Sequence, residues 1–474
     1  MHDSSWAASE FKNLNLGDKR LNQRLINVCE KFSEMPESLI NQTCDSWAET
    51  KAAYRFFKNK KIREGKILES HAQKTLERMK AHKTILVAQD TSYISYSSHK
   101  KTRDLGKIGA HKSMNNKEIT SWGLIMHSSL AMTTAGTPLG LLDQKISVRN
   151  PRTASFTKKK DSTPIEEKES FKWLESLKKS QGIVSDTQIV TICDREADMY
   201  EFFEQSYNLN SPVLVRAKTN RVINKSSRWA RNSGERLRSF ISKLPVSGNY
   251  KVKVPSKNDE PARTAKMSLK YGKFNLNAPL NNINHRKEKL KDLEMSFIHV
   301  FEVNPPKRTQ GIEWILLTNL PVKSTESALE KVYWYTLRWR IEMFHKVLKS
   351  GFKVENCRLS TADRLKKYLT VMSIVACRMF MITLIARESP NTSCQKFLSN
   401  DEWKVLFAKT TGRTRLPKKP PNLRTVLKWV AKLGGFLGRK NDGNPGMITL
   451  WRGWKRLTDL VSGWKLANQQ LTYG

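Results

Sequence analysis

"YWYTLRWRIEMFHKVLKSG", residues 333–351, gathers aromatic and basic side chains around a single acid, Glu342. Turned at about 100° per residue, Trp334, Leu337, Ile341, Phe344, Val347 and Leu348 fall on one broad side, which predicts a core-facing stripe. Tyr335, Arg338, Glu342 and Lys349 fall within roughly 60° of one another on the opposite side. The spacing predicts one amphipathic helix with an organised polar face. Taken alone, Arg338 and Glu342 make an ordinary i,i+4 surface pair that adds little to stability. Glu342 becomes informative only beside acids elsewhere in the chain.

Two such acids follow apolar runs. "KTILVAQDTSYISY" (83–96) is a β-branched run expected to end as a strand at Asp90, and "QIVTICDREADMY" (188–200) is another ending at Asp194. Helical periodicity returns between them in "EEKESFKWLESLKK" (166–179), giving the order strand, acid, helix, strand, acid and an α/β fold. From about 211 to 318, "PVLVRAKT", "NYKVKVP", "TAKMSLKYGKFNL", "MSFIHVFEV" and "EWILLTNL" predict a β-rich insertion, after which comes the helix with Glu342. Three converging carboxylates would repel one another. A pair of divalent cations about 3.5 to 4 Å apart removes that repulsion, and hard oxygen donors suit Mg²⁺ or Mn²⁺. Such a site supports in-line displacement at phosphorus, with basic neighbours holding phosphate. Considered separately, each acid has a plainer explanation: an Asp after a strand caps a turn, and "CDREAD" could open a helix with acids at its positive end.

The charge balance narrows the chemistry. Among 474 residues, 84 Lys and Arg face 44 acids, a formal charge of +40. Self-repulsion of that size points to a polyanionic partner, since each phosphate neutralised releases counterions. Nucleic acid is the leading candidate; no compact amphipathic anchor or lipidation motif supports an anionic membrane. The N-terminus lacks the basic start and apolar centre of a signal peptide, so a cytoplasmic protein is expected. Six scattered cysteines contain no C-x-x-C pair, which argues against a zinc site or disulfide framework. "YLTVMSIVACRMFMITLIA" (368–386) approaches bilayer-spanning length, but Arg378 within it favours a buried helix. The lysine-rich "TKKKDSTP" (157–164) reads as a solvated loop.

The spacing Y-x2-R-x3-E-x6-K, met by Tyr335, Arg338, Glu342 and Lys349, resembles the Y-R-E-K signature of a large family of bacterial insertion-sequence transposases. "LGDKR", "AYRFFKN", "CDREAD", "NPPK", "WILLTNLPV", "YTLRWRIEMFHK", "KLGGF" and "LWRGW" resemble segments of its cut-and-paste members in the same order, over nearly the whole chain. The resemblance implies a ribonuclease-H-like catalytic core with a β-rich insertion at about 211–318, spanning 66–386. A helical DNA-end-recognition domain (1–65) would precede it and a helical dimerisation domain (387–474) would follow. It implies Asp90, Asp194 and Glu342 as the catalytic, metal-binding triad. Tyr335, Arg338 and Lys349 match residues that hold the DNA backbone, and Arg338 is expected to spend its charge on phosphate. Trp314 matches an aromatic on which a flipped base stacks, although a tryptophan in an apolar strand is more often core. Arg216 and Lys218 match basic residues of the insertion; Trp339, Lys346 and His345 are supporting residues, and a lone His is more often structural. Arg20, Arg24, Tyr54 and Arg55 match the end-binding framework, whereas Glu34, Met35 and Glu37 depart from it, as does Met343 beside the catalytic Glu.

The implied activity is cut-and-paste transposition by a homodimer acting on transposon-end and target DNA at the nucleoid. It needs no nucleotide cofactor, and no G-x-x-x-x-G-K-[ST] loop occurs. A structure-selective nuclease and a noncatalytic DNA-binding regulator are the alternatives.

Overall fold

The apolar run that opens at Thr84 does not stop at Asp90: β1 (Thr84–Ser95) continues through it, placing the acid in mid-strand. Thr91, Ser92 and Ser95 stay extended because a long neighbouring strand pairs with β1 from Ile85 to Ser95, so ladder hydrogen bonds outweigh weak local pattern. The computed structural model describes residues 5–112, 116, 118–149, 163–181, 186–225, 234–256, 261–279, 290–307, 309–439 and 442–468. The lysines of "TKKKDSTP" fall outside the described residues.

The remaining strands are β2 (Gly106–Lys112), β3 (Glu118–Thr133), β4 (Pro138–Ser147), β5 (Gln188–Cys193), β6 (Val213–Arg216), β7 (Val222–Ile223), β8 (Glu235–Arg236), β9 (Gly248–Val254), β10 (Arg263–Leu276), β11 (Leu293–Glu302) and β12 (Glu313–Thr318). Among the described residues, nine of them join β1 in one ten-stranded mixed sheet in the order β2-β3-β1-β5-β6-β12-β11-β10-β9, with β4 also paired to β3; β7 and β8 make a separate ribbon. The pairs β1–β5 and β5–β6 are parallel and the rest antiparallel. All five runs read as strands between 211 and 318 are strands here. Because β12 pairs with β6, they extend the central sheet.

Alternation along the strands separates two faces. Leu86, Ala88, Val190, Ile192, Leu214 and Leu316 share a core with Ile341 and Phe344. Cys193, Val213 and Val215 face the other way, onto Trp173, Phe202 and Phe203. Helix Ala362–Glu388 contains the long apolar run and is mostly buried, as expected of a core helix. Each large apolar side chain so buried contributes about 1.5–3 kcal/mol. Arg378 is accommodated there by donating to the Phe397 carbonyl at 3.0 Å and by lying over the Trp6 ring at 4.8 Å. Burial lowers its pKa to about 10.

The first sixty-odd residues form short helices around Lys19–Glu34 and Trp47–Lys58. A polar clasp fastens the first of them, Trp6–Glu10, to the sheet: Glu10 accepts from both Arg78 Nη atoms and meets His71 Nδ1 at 2.6 Å, while His71 Nε2 accepts from the Leu141 N–H. Past residue 390 come helices Asn400–Thr411, Leu423–Leu433 and Met447–Ala467. The six cysteines are free thiols.

The single helix expected over 333–351 is a correction. The chain makes helix Thr325–Thr336, helix Trp339–Lys346 and a π-helical turn Val347–Gly351. At the join the Leu337 and Arg338 N–H groups donate three residues back, to Trp334 and Tyr335 carbonyls, and the Thr336 hydroxyl donates to the Tyr333 carbonyl at 2.6 Å. That side chain competes for a helical acceptor, a break that needs neither Gly nor Pro.

Candidate active site

Register builds the site. In β1 and β5 the last parallel partners are Ala88 and Ile192. The same register continued by two residues sets Asp194 beside Asp90, on the face that carries Ala88 and Ile192. Asp194 follows the end of β5 and caps the short turn Arg195–Ala197 by accepting the Glu196 N–H at 2.8 Å. One strand further, Val215 pairs with Cys193, so Arg216 follows in the same row. On the other side of Asp90, Ser128 of β3 is its direct partner, and Gln144 of β4 is the partner of Ser128.

Helix Trp339–Lys346 lies over this row. Ile341, Phe344 and His345 are buried, which turns Glu342 toward the acids. Arg338 Nη2 donates to Glu342 Oε1, with the two side chains 13% and 31% exposed. The guanidinium pairs with Glu342 and lies within electrostatic reach of Asp90 as well. Asp90 is pushed up to about 7, first by burial and further by Asp194 and Glu342; the Thr91 N–H, donating at 2.8 Å, and Arg338 only partly offset this. Arg338 stands above its usual range although burial works against it, because Tyr335, Glu342 and Asp90 favour its charge.

Three carboxylates, Asp194 and Glu342 each in electrostatic reach of Asp90 and all hard oxygen donors, match a divalent cation in kind. Among the described residues, however, no three acids, histidines or cysteines close into a metal-holding cluster. The positive charge among the acids is that of Arg338.

An aromatic wall adjoins the acids. Tyr335, expected on the polar face, is buried because the tight turn after it rotates the chain; burial raises its phenol to about 12. Trp314 meets its ring edge-on at 5.2 Å, and the Arg216 guanidinium lies over Trp314 at 5.9 Å while donating to the Glu313 carbonyl. Lys349, in the π turn, donates to the Tyr93 carbonyl at 2.9 Å and lies 3.7 Å from Glu355. Lys218 is exposed, its N–H anchored on Asp198 at 2.6 Å; Trp339, at 58% exposure, and Lys346 face solvent on the site helix.

Arg20, Arg24 and Arg55 belong to other elements. Arg20 and Arg24 lie on helix Lys19–Glu34 and Arg55 on helix Trp47–Lys58; the Arg20 side chain is 92% exposed and Arg55 is exposed. Buried Ser128, Gln144 and His127 escape the sequence reading. His127 Nδ1 meets the Thr91 hydroxyl at 2.9 Å one residue after Asp90. Their only signal is strand register, which a linear pattern does not carry.

Three family models match the chain in succession. Transposase DNA-binding matches residues 3–62, Transposase DDE domain matches 153–378 and Transposase Tn5 dimerisation domain matches 374–473. The DDE match includes Asp194 and Glu342, whereas Asp90 lies before it. With a DNA-binding module at one end, a dimerisation module at the other and the DDE domain between, the chain belongs to the Tn5-like DDE transposases, metal-dependent enzymes that cut DNA and transfer its strands.

Proposed function

We propose that this transposase performs cut-and-paste transposition on its own element's inverted ends with one active site per protomer, centred on Asp90, Asp194 and Glu342. The supporting observation is that Asp90, in β1, and Asp194, just past the end of the parallel strand β5, continue one row, with both Asp194 and Glu342 in electrostatic reach of Asp90. The sheet is read as a ribonuclease-H-like core over 66–386, with a β-rich insertion at about 211–318 that carries β6 to β12, flanked by an end-recognition domain over 1–65 and a dimerisation domain over 387–474. As a DNA-bound enzyme it would act in the cytoplasm, at the nucleoid.

The three carboxylates would hold Mg²⁺, with Mn²⁺ as substitute, in a two-ion site once Arg338 releases Glu342. When bound, such ions activate water or a 3′-hydroxyl and offset charge on the phosphate under attack. Arg338, freed, is placed to hold a backbone phosphate with Lys349, which gives one side chain a role before and after DNA arrives. A nick at the transposon end exposes a 3′-hydroxyl that attacks the opposite strand to form a hairpin. Water opens the hairpin, and the same hydroxyl then attacks target DNA. Trp314, half-buried beside Tyr335 and Arg216, presents a ring on which the base flipped at the hairpin can stack. Lys218, Trp339 and Lys346 line the exposed approach, while Arg20, Arg24 and Arg55 contact the end. No step calls for a nucleotide cofactor.

The test is cleavage and joining of a labelled duplex carrying the element's ends, with Mg²⁺ or Mn²⁺, comparing wild type with Glu342→Gln. Hairpin and joined products that vanish in the variant while end binding persists are expected. Cleavage without joining would replace this reading by a nuclease, and end binding without chemistry in either protein by a regulator.

A further inference from the structure

Asp90, Ser128 and Gln144 stand in one row on three neighbouring strands, and helix Trp339–Lys346 lays His345 across them. Ser128 is fully buried, His345 is 5% exposed and Gln144 is 8% exposed, so their polar atoms depend on partners inside the protein; Gln144 Oε1 has none among the described residues. Gln144 Nε2 lies 3.1 Å from Ser128 Oγ, Ser128 Oγ lies 3.4 Å from His345 Nε2, and His345 Nδ1 lies 3.8 Å from Asp90 Oδ2.

The chemistry of the donors gives the chain a direction. An amide nitrogen can only donate, so Ser128 Oγ accepts from Gln144 and has its single proton available for His345 Nε2. Given to Nε2, that proton leaves the ring's own on Nδ1, the nitrogen that faces Asp90. The other Asp90 oxygen, Oδ1, already accepts the Thr91 N–H at 2.8 Å. His345 Nδ1, at 3.8 Å, is at ion-pair rather than hydrogen-bond distance from Oδ2, so the two carboxylate oxygens face two different nitrogens.

We propose that His345 is a positioning residue for Asp90, held in the required tautomer by Ser128 and Gln144, and that this relay fixes the carboxylate for metal binding. Outer partners of this kind govern affinity by orienting the ligand. The proposal rests on reading Asp90 as a metal ligand.

Mn²⁺ binding to the full-length protein, followed by electron paramagnetic resonance, separates the two. Asp90→Asn tests the underlying reading: if it binds Mn²⁺ as wild type does, Asp90 is no ligand and that reading fails. With Asp90→Asn impaired, Ser128→Ala should weaken Mn²⁺ binding about tenfold. His345→Asn, whose amide nitrogen replaces Nδ1, should stay near wild type, whereas His345→Gln, whose amide nitrogen replaces Nε2, should fall with Ser128→Ala. Thermal melts and end-DNA binding establish that each variant is folded. Equal affinities for the His345 variants, or an unaltered Ser128→Ala, would overturn the relay.

Discussion

Asp90 carries the largest electrostatic load in the site, and its burial has a measurable sign. Its carboxyl stands at about 7 in the folded protein against an ordinary 3.8, so the native state binds this proton more tightly than the unfolded chain does. The stability gained from that proton is full below about pH 4 and is lost as pH rises through 7. Asn at this position has no proton to lose. In EDTA, Asp90→Asn should therefore melt with wild type's pH-independent offset at pH 4 and gain on it steadily to pH 7, at about 1.4 kcal/mol per unit at most. A difference between the two melting curves that stays flat from pH 4 to 8.5 would show that Asp90 titrates normally. The acids themselves stand out in the sequence because apolar runs precede Asp90 and Asp194 and a helical period surrounds Glu342. The row Asp90–Ser128–Gln144 does not, because it is created by pairing between strands whose residues share no local pattern.

At the scale of elements, existence was easier to read than interruption. The apolar stripe from Trp334 to Leu348 is buried as its period implies, yet the helix breaks after Thr336 and ends in a π turn. Periodicity registers which residues seek the core; the Thr336 hydroxyl's bond to Tyr333 and the docking of a distant helix decide where the backbone yields. That docking is at Gly351, where an added Cβ would lie 2.3 Å from the Trp451 ring. Phe352 also meets Trp451 edge-on at 6.4 Å, so the C-terminal helix Met447–Ala467 rests on the turn that carries Lys349. A rigid indole has nowhere to bend, and Gly351→Ala should destabilise by about 1–3 kcal/mol in chemical denaturation, the usual cost of overpacking. Trp451→Leu in the same chain should recover much of the loss by opening space. An additive double variant would mean that the two residues are not packed as described.

Over the whole molecule the excess of positive charge sets how tightly any DNA is held, and the contacts at the end set which DNA. The formal charge of +40 makes strong binding to unrelated duplex an expected background, so affinity at one salt concentration identifies nothing. The dependence on salt does, since each phosphate contact adds about 0.9 to the slope of log K against log salt. Arg20, Arg24 and Arg55 lie on two helices of the segment matched by the DNA-binding model, with Arg20 and Arg55 exposed and Arg24 partly so. None is used in the apolar core, so replacing all three by Ala should leave folding intact. If they are the end-DNA contacts, the triple variant should lower the slope for end DNA by up to about 3 and narrow the preference for ends over unrelated duplex. Glu342→Gln, measured alongside, should keep the wild-type slope for a duplex that stops short of the cleavage site. An unchanged slope in the triple variant would move end recognition to another surface of the N-terminal helices, and would leave the part proposed for the acids beside Arg338 to be decided by the Glu342→Gln cleavage test.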